Sequence, residues 1–171
     1  NEVQVITTSS TASLSEVQRL TIDADANNLG GYFTMEFNGE TSDMITWDAN
    51  AEGADSVAQA LARLSTMGTV EVSRDLSRRI VQGVSVTSTS GHAYFLAVDS
   101  AGAAVNMGST LSVNDIIFVN GAQYTVTGLT NNAGINDQID ISGSASETLG
   151  ASNDPSVTLY KWSYGYQWDI T

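Results

Sequence analysis

Cysteine is absent from the 171 residues, which excludes disulfide staples, disulfide links between copies and thiolate metal sites. Histidine occurs once, at His92, so paired-histidine zinc motifs are excluded and one acid–base candidate near neutral pH is left. Cations are scarce, with six Lys and Arg against nineteen Asp and Glu, for a formal charge of −13. Nucleic-acid binding rests on cations that neutralise phosphates, and docking to an anionic membrane surface needs the same, so both partner classes are disfavoured. No apolar run approaches the roughly 20 residues that span a bilayer, and membrane insertion is not expected. The sequence also lacks an Asn-x-Ser/Thr sequon, a G-x-S-x-G elbow, a phosphate-cradling glycine loop and a dinucleotide fingerprint. No catalytic residue and no cofactor-binding residue is therefore expected. His92, beside Gly91 at a predicted strand start, reads as a surface histidine. The chain opens on Asn1 rather than Met, which reads as a mature product or a piece of a longer polypeptide.

What is present is the material of a folded β protein. Hydrophobic residues make up 42%, with three Trp, six Tyr and four Phe, too many for a disordered tail. Residues 31–37 place Phe33, Met35 and Phe37 at strand period. Asn38-Gly39 follows as a type I′ hairpin signal, and 41–47 is the return strand. Residues 56–66 form the one predicted helix, with Ser56 and Gln59 as a capping pair and Val57, Leu61 and Leu64 at helical spacing. Asn50 is an alternative start. A strand resumes at 69–73.

From Arg78 the texture changes. Residues 80–90, 92–98, 111–119, 123–129 and 138–142 all read as strands, with Asn120-Gly121 as a second hairpin turn. The predicted fold is mainly β: an Ig-like sandwich lobe with one short helix, from residues 1–77 and 160–171, and an inserted small barrel or meander lobe, 78–159.

Several residues are candidates for function. Glu2, Val3, Gln4, Val5 and Ile6 form a strand-like segment that recurs as Glu16-Val17-Gln18-Arg19-Leu20-Thr21, with Ser/Thr-rich residues 9–15 between the copies. The duplicate is either a second strand of one sheet or a strand that reaches a neighbouring copy. Arg74, Arg78 and Arg79 hold half of the basic charge. They serve either as a solvated strand edge or as a contact for the acidic surface of the next copy. Trp162, Tyr164, Tyr166 and Trp168 alternate at strand period, as core packing or as a platform on which a glycan stacks. A structural Ca²⁺ is the one metal left open, on Asp23 and Asp25 or on Asn136, Asp137 and Asp140; neither set matches an EF-hand loop.

Three stretches carry a family resemblance: residues 16–21, Gly31 through Thr41, and Ile45-Thr46-Trp47-Asp48-Ala49. Val57 to Leu64, residues 70–74 and Gly165-Tyr166-Gln167-Trp168-Asp169-Ile170-Thr171 continue it. Together they resemble tandem repeats in very large secreted proteins of stramenopile algae and oomycetes, including those of flagellar-hair filaments (mastigonemes). A related pattern occurs in repetitive bacterial surface and phage-fibre proteins. Residues 78–160 look like an insertion within that repeat, and Glu52-Gly53-Ala54 before the helix departs from it. The resemblance implies a structural module of an extracellular or cell-surface filament, whose partners are copies of itself or adjacent repeats. The alternative is a surface adhesion module that binds glycans through exposed aromatics.

Overall fold

A computed structural model of the chain describes residues 16–132, 134–150 and 157–171. The fold is mainly β, with one short helix and a large antiparallel sheet. Its strands are β1 (Gln18–Ile22), β2 (Tyr32–Phe33), β3 (Glu36–Phe37), β4 (Glu40–Thr41), β5 (Ile45–Thr46), β6 (Val72–Thr87), β7 (Tyr94–Val98), β8 (Ile116–Val119), β9 (Ala122–Asn132), β10 (Ile135–Ile141) and β11 (Thr158–Ile170), with helix α1 (Val57–Ala62) between β5 and β6. The chain divides into two compact units. The first holds residues 16–22, Leu29–Asp75 and Tyr166–Thr171, and the second holds Asp23–Asn28 and Leu76–Gly165. Strands β6 and β11 contribute to both. Among the described residues no helix is long and apolar enough to cross a membrane.

In the first unit, β1 pairs antiparallel with β11 from Gln18↔Ile170 to Ile22↔Tyr166. The Asn38-Gly39 turn, with φ of 49° and 81°, closes β3 on β4, and β2 pairs with β5. The expected two-stranded hairpin is thus broken in the middle. There the Ser42 hydroxyl accepts the Met35 N–H at 2.9 Å, while the Ser42 N–H donates to the Met35 carbonyl at 2.8 Å. A side chain takes one place of a backbone rung, and the strand stops.

Helix α1 is shorter than the predicted 56–66. Its N-cap is Ser56, whose hydroxyl accepts the Gln59 N–H at 3.1 Å, while the Gln59 side chain accepts the Asp55 N–H at 2.8 Å. The carbonyls of Asn50 and Ala51 take the Val57 and Ala58 N–H groups, so the loop meets orphan donors of the first turn. At the other end the i to i−4 ladder is left at Leu64, whose N–H goes to the Leu61 carbonyl at 3.0 Å. Beyond it the Glu40 carboxylate accepts the Ser65 N–H at 2.6 Å and the Ser65 hydroxyl as well, so the predicted last turn does not form. The core of this unit gathers Ile45, Val57, Leu61, Leu64, Val72 and Ile170 around Trp168, which is 0% exposed.

In the second unit the strands run β11-β6-β7-β10-β9-β8, and β8 pairs back onto β11 from Ile117↔Lys161 to Val119↔Leu159. The six strands close into a ring. Asn120-Gly121, with φ of 47° and 81°, is the two-residue turn between β8 and β9. Alternate residues point inward: Phe95 and Ala97 from β7, Ile117 and Val119 from β8, Ile139 and Ile141 from β10, and Leu159 from β11. Met107, Leu111, Ala145 and Leu149 from the connecting segments add to this core.

Two irregularities set which side chains face inward. In β6 the buried residues are spaced by three at Val81 and Val84, across Gly83 at φ 71°, and then by two at Val84 and Val86. One extra residue at a bulge shifts the pleat by one position. The same happens in β11 at Tyr164, a non-glycine residue at φ 60°. Leu159 and Ser163 are buried before it, and Trp168 and Ile170 after it, so the inward set changes from odd to even numbers.

Candidate functional site

The duplicated segment leads to the edge of the first unit. Glu71 and Thr171 exchange both backbone hydrogen bonds, at 2.9 and 3.0 Å, so Thr171 faces the β6 side. Antiparallel alternation then turns the backbone groups of Trp168 and Ile170 toward β1. Their partners are Leu20 and Gln18. The N–H and C=O groups of Arg19 and Thr21 consequently point away from β11. Among the described residues no strand pairs with that side of β1. Arg19 and Asp169, opposite each other, form a forked ion pair at 2.6 and 2.7 Å. It is the close, non-hydrogen-bonded type of cross-strand pair. This contact raises the pKa of Arg19 and lowers that of Asp169, in both through the hydrogen bond first and charge attraction after it. The first copy of the repeat, Glu2, Val3, Gln4, Val5 and Ile6, lies outside the described residues.

The three clustered arginines each have a partner within the chain. Arg74 donates to the carbonyls of Asp48, at 2.5 Å, and Ala49, at 3.1 Å, and its guanidinium lies 4.5 Å from the centre of the Tyr166 ring. Arg78 lies 4.2 Å over Phe118. Arg79 bonds to Asp23, at 3.1 Å, and to Asp25, and these carboxylates raise its pKa. The next copy of the chain would meet side chains already engaged at home.

The four candidate aromatics of β11, Trp162, Tyr164, Tyr166 and Trp168, do not form one set, and the Tyr164 bulge is the reason. Trp168 is wholly buried, its indole N–H donates to the Ala49 carbonyl at 3.1 Å, and it packs on Phe33 at 5.7 Å. It offers no face to a glycan, which corrects its place among the stacking candidates. Tyr166 is half-buried between Trp47, at 5.8 Å, and Arg74. Trp162 and Tyr164 belong to the second unit, with ring centres 5.5 Å apart, both half-exposed.

Most of the oxygens weighed for Ca²⁺ are engaged by protein donors. Asp23 and Asp25 hold Arg79, and Asp140 accepts from Thr130 and from Gln138, both at 2.7 Å. Among the described residues one buried oxygen of Asp137 has no hydrogen-bond partner, and the Asn136 carbonyl accepts the Met107 N–H. Among the described residues no three acidic or histidine groups converge on one point. His92 is exposed in the turn before β7, its ring 4.9 Å from Tyr94.

Comparison with known proteins finds no matching family model, no matching curated protein and no matching solved structure.

Proposed function

We propose that the chain is a non-catalytic structural module of an extracellular or surface filament, and that it assembles by strand addition at β1. The observation that carries this reading is the outward backbone of Arg19 and Thr21. An edge with free N–H and C=O groups is a template for another strand. Residues 2–7 nearly repeat the sequence of the β1 segment and are joined to it through Ser/Thr-rich residues 9–15. A segment that suits one side of a β strand suits the edge of the same strand in a neighbouring copy. Repeated head to tail, such pairing gives an open fibre rather than a closed oligomer. The resemblance to filament repeats points the same way. Within the first unit, we read β1, β11 and β6 as one layer of an Ig-like sandwich, with the β2–β5 and β3–β4 ribbons and α1 covering the Trp168 core. The ring of the second unit is the inserted barrel lobe.

The test is self-association of the whole chain and of a version lacking residues 1–14, by size exclusion and small-angle scattering over a concentration series. The full chain is expected to form elongated, concentration-dependent oligomers and the shortened chain to stay monomeric. Compact monomers of equal stability in both forms would contradict assembly through this segment.

A further inference from the structure

The second unit contains a cleft of about 400 Å³ that the structural role does not use. Its walls come from four places: Ala24 and Asp25, the Arg79–Val84 part of β6, Val105 and Thr110 between β7 and β8, and the Lys161–Tyr164 part of β11. Buried Val81 and Val84 make it apolar at the base, and Ile80, 41% exposed, lies among its lining residues. Trp162 and Tyr164 supply two aromatic rings tilted at 51° to each other.

Each ring is held in place. The Trp162 indole N–H donates to the Gly165 carbonyl at 2.9 Å, which fixes the ring and leaves its apolar surface as what a ligand meets. Tyr164 sits at φ 60°, a conformation that non-glycine residues adopt with strain, and such strain collects where a side chain must be aimed. The following N–H, of Gly165, donates to the buried Ser77 hydroxyl at 3.1 Å, and that hydroxyl also accepts from Ser163 at 2.8 Å. The bulge is thus tied down.

The polar groups of the cleft are tied down too. Lys161 pairs with Asp115 at 2.9 Å, donates to the Thr110 carbonyl at 3.3 Å and lies 5.6 Å from the centre of the Tyr164 ring. Burial alone would lower its pKa, but the Asp115 and Tyr164 interactions outweigh that and raise it, so it stays an ammonium. Arg79 is held by Asp23 and Asp25. Two cations face three carboxylates, so an anion such as a phosphate or a nucleotide meets no surplus of positive charge. A purely apolar ligand would offer no hydrogen bond to Asp25, Arg79 and Gln82, which line the cleft beside the two rings.

A sugar ring answers to both halves of the cleft. One face of a pyranose is lined by C–H groups that pack on aromatic rings, and its edge carries hydroxyls that both donate and accept. The volume falls within the usual range for small-ligand sites and suits one or two such rings. We infer that this cleft binds a neutral glycan, with a pyranose ring packed on Trp162 and Tyr164 and its hydroxyls on Asp25, Arg79 and Gln82.

The experiment titrates the full ¹⁵N-labelled chain with cellobiose, maltose, xylobiose and mannobiose at millimolar concentrations, and with glucose 6-phosphate as an anionic probe. At least one neutral disaccharide is expected to shift the Trp162 indole N–H and the Tyr164 amide in a saturable way, while the phosphate sugar does not. Trp162→Ala is expected to weaken binding by about tenfold or more. Tyr164→Gly relieves the positive-φ strain and so guards against misreading a folding defect; it keeps the fold and also weakens binding. Tyr166→Phe, in the first unit, leaves binding unchanged. No saturable shift with any neutral disaccharide would overturn the proposal. So would preference for the phosphate sugar, or binding retained within about twofold in folded Tyr164→Gly. If an unlabelled second copy of the chain, rather than a sugar, shifts these resonances, the cleft is an assembly contact and the glycan reading fails.

Discussion

The two units use strands of the same chain, β6 and β11, yet they end differently. In the second unit the strands close into a ring, and every strand of the ring has a partner on both sides. In the first unit, among the described residues, the pairing stops at β1. Closure removes edges altogether, whereas an open sheet keeps a row of backbone donors and acceptors that must be met by water or another strand. The cores differ in kind as well. The ring is filled mostly by Val, Ile, Leu and Ala in alternating positions, while the first unit is organised around Trp168 with one helix packed against it. The two roles proposed above, assembly and ligand recognition, would then fall to different units of one chain: the first has, among the described residues, an open edge, and the second a cleft lined by aromatic and polar side chains.

Substitutions separate the two units in energy. The largest effect is expected from Trp168→Ala, which removes the fully buried centre of the first core and its hydrogen bond to Ala49. A loss of about 3–5 kcal/mol is expected in urea unfolding, with amide protection falling at Leu20 and Leu61. Equal loss at Phe95 and Ile139 would mean that the two cores do not stand apart energetically.

Gly83→Ala probes the second unit. Nothing lies within 4 Å of the added methyl, so the change isolates the strain of a side chain at φ 71°. We expect destabilisation of about 1–2 kcal/mol. A neutral result would remove the bulge from the account of how β6 changes phase. Ser56→Ala should cost the first unit about 1 kcal/mol by loss of the N-cap, read from the denaturation midpoint.

The smallest effect is expected from the Arg19–Asp169 pair, which is partly exposed and worth about 0.2–1 kcal/mol at most. The pKa of Asp169 is depressed in the folded state, so its contribution is present above the ordinary carboxylate value of 3.8 and is lost as the pH falls through the lower folded value. Arg19→Gln should flatten that acid-side slope and leave stability near pH 7 only slightly reduced. An unchanged slope would assign the acid sensitivity to other carboxylates.

What the sequence made legible was local. Asn38-Gly39 and Asn120-Gly121 announce their turns because both positions adopt positive φ, and Ser56 announces its helix through a hydroxyl placed for capping. The ends of elements were harder, because a distant side chain decides them. Glu40 takes the Ser65 N–H and so holds the predicted last turn of α1 out of the helix, and nothing near Ser65 in the chain signals it. Strand β6 reads as two strands because Arg74, Asp75, Arg78 and Arg79 interrupt its apolar pattern, yet its backbone runs unbroken through all four. The closing of the ring depends on β8 meeting β11, a pairing about forty residues apart that no local pattern encodes.

The candidate site was legible in its residues but not in their grouping. Trp162, Tyr164, Tyr166 and Trp168 keep perfect alternation on paper. The bulge at Tyr164 divides them, and a tyrosine at positive φ leaves no compositional mark as a glycine would. For Arg79 part of the signal was available, since Asp23 and Asp25 stand out in the sequence as a pair of oxygen donors. They hold an arginine of the same chain.

If β1 takes a strand from another copy, as proposed, amide hydrogen exchange at three adjacent residues reports it. The Leu20 amide points into the β11 ladder, while those of Arg19 and Thr21 point outward. In dilute solution Leu20 is expected to be protected and its two neighbours to exchange freely. On concentration, Arg19 and Thr21 should gain protection together, in the full chain and not in the version without residues 1–14. Protection of Arg19 and Thr21 that is already complete at high dilution, or absent at every concentration, would contradict strand addition between copies.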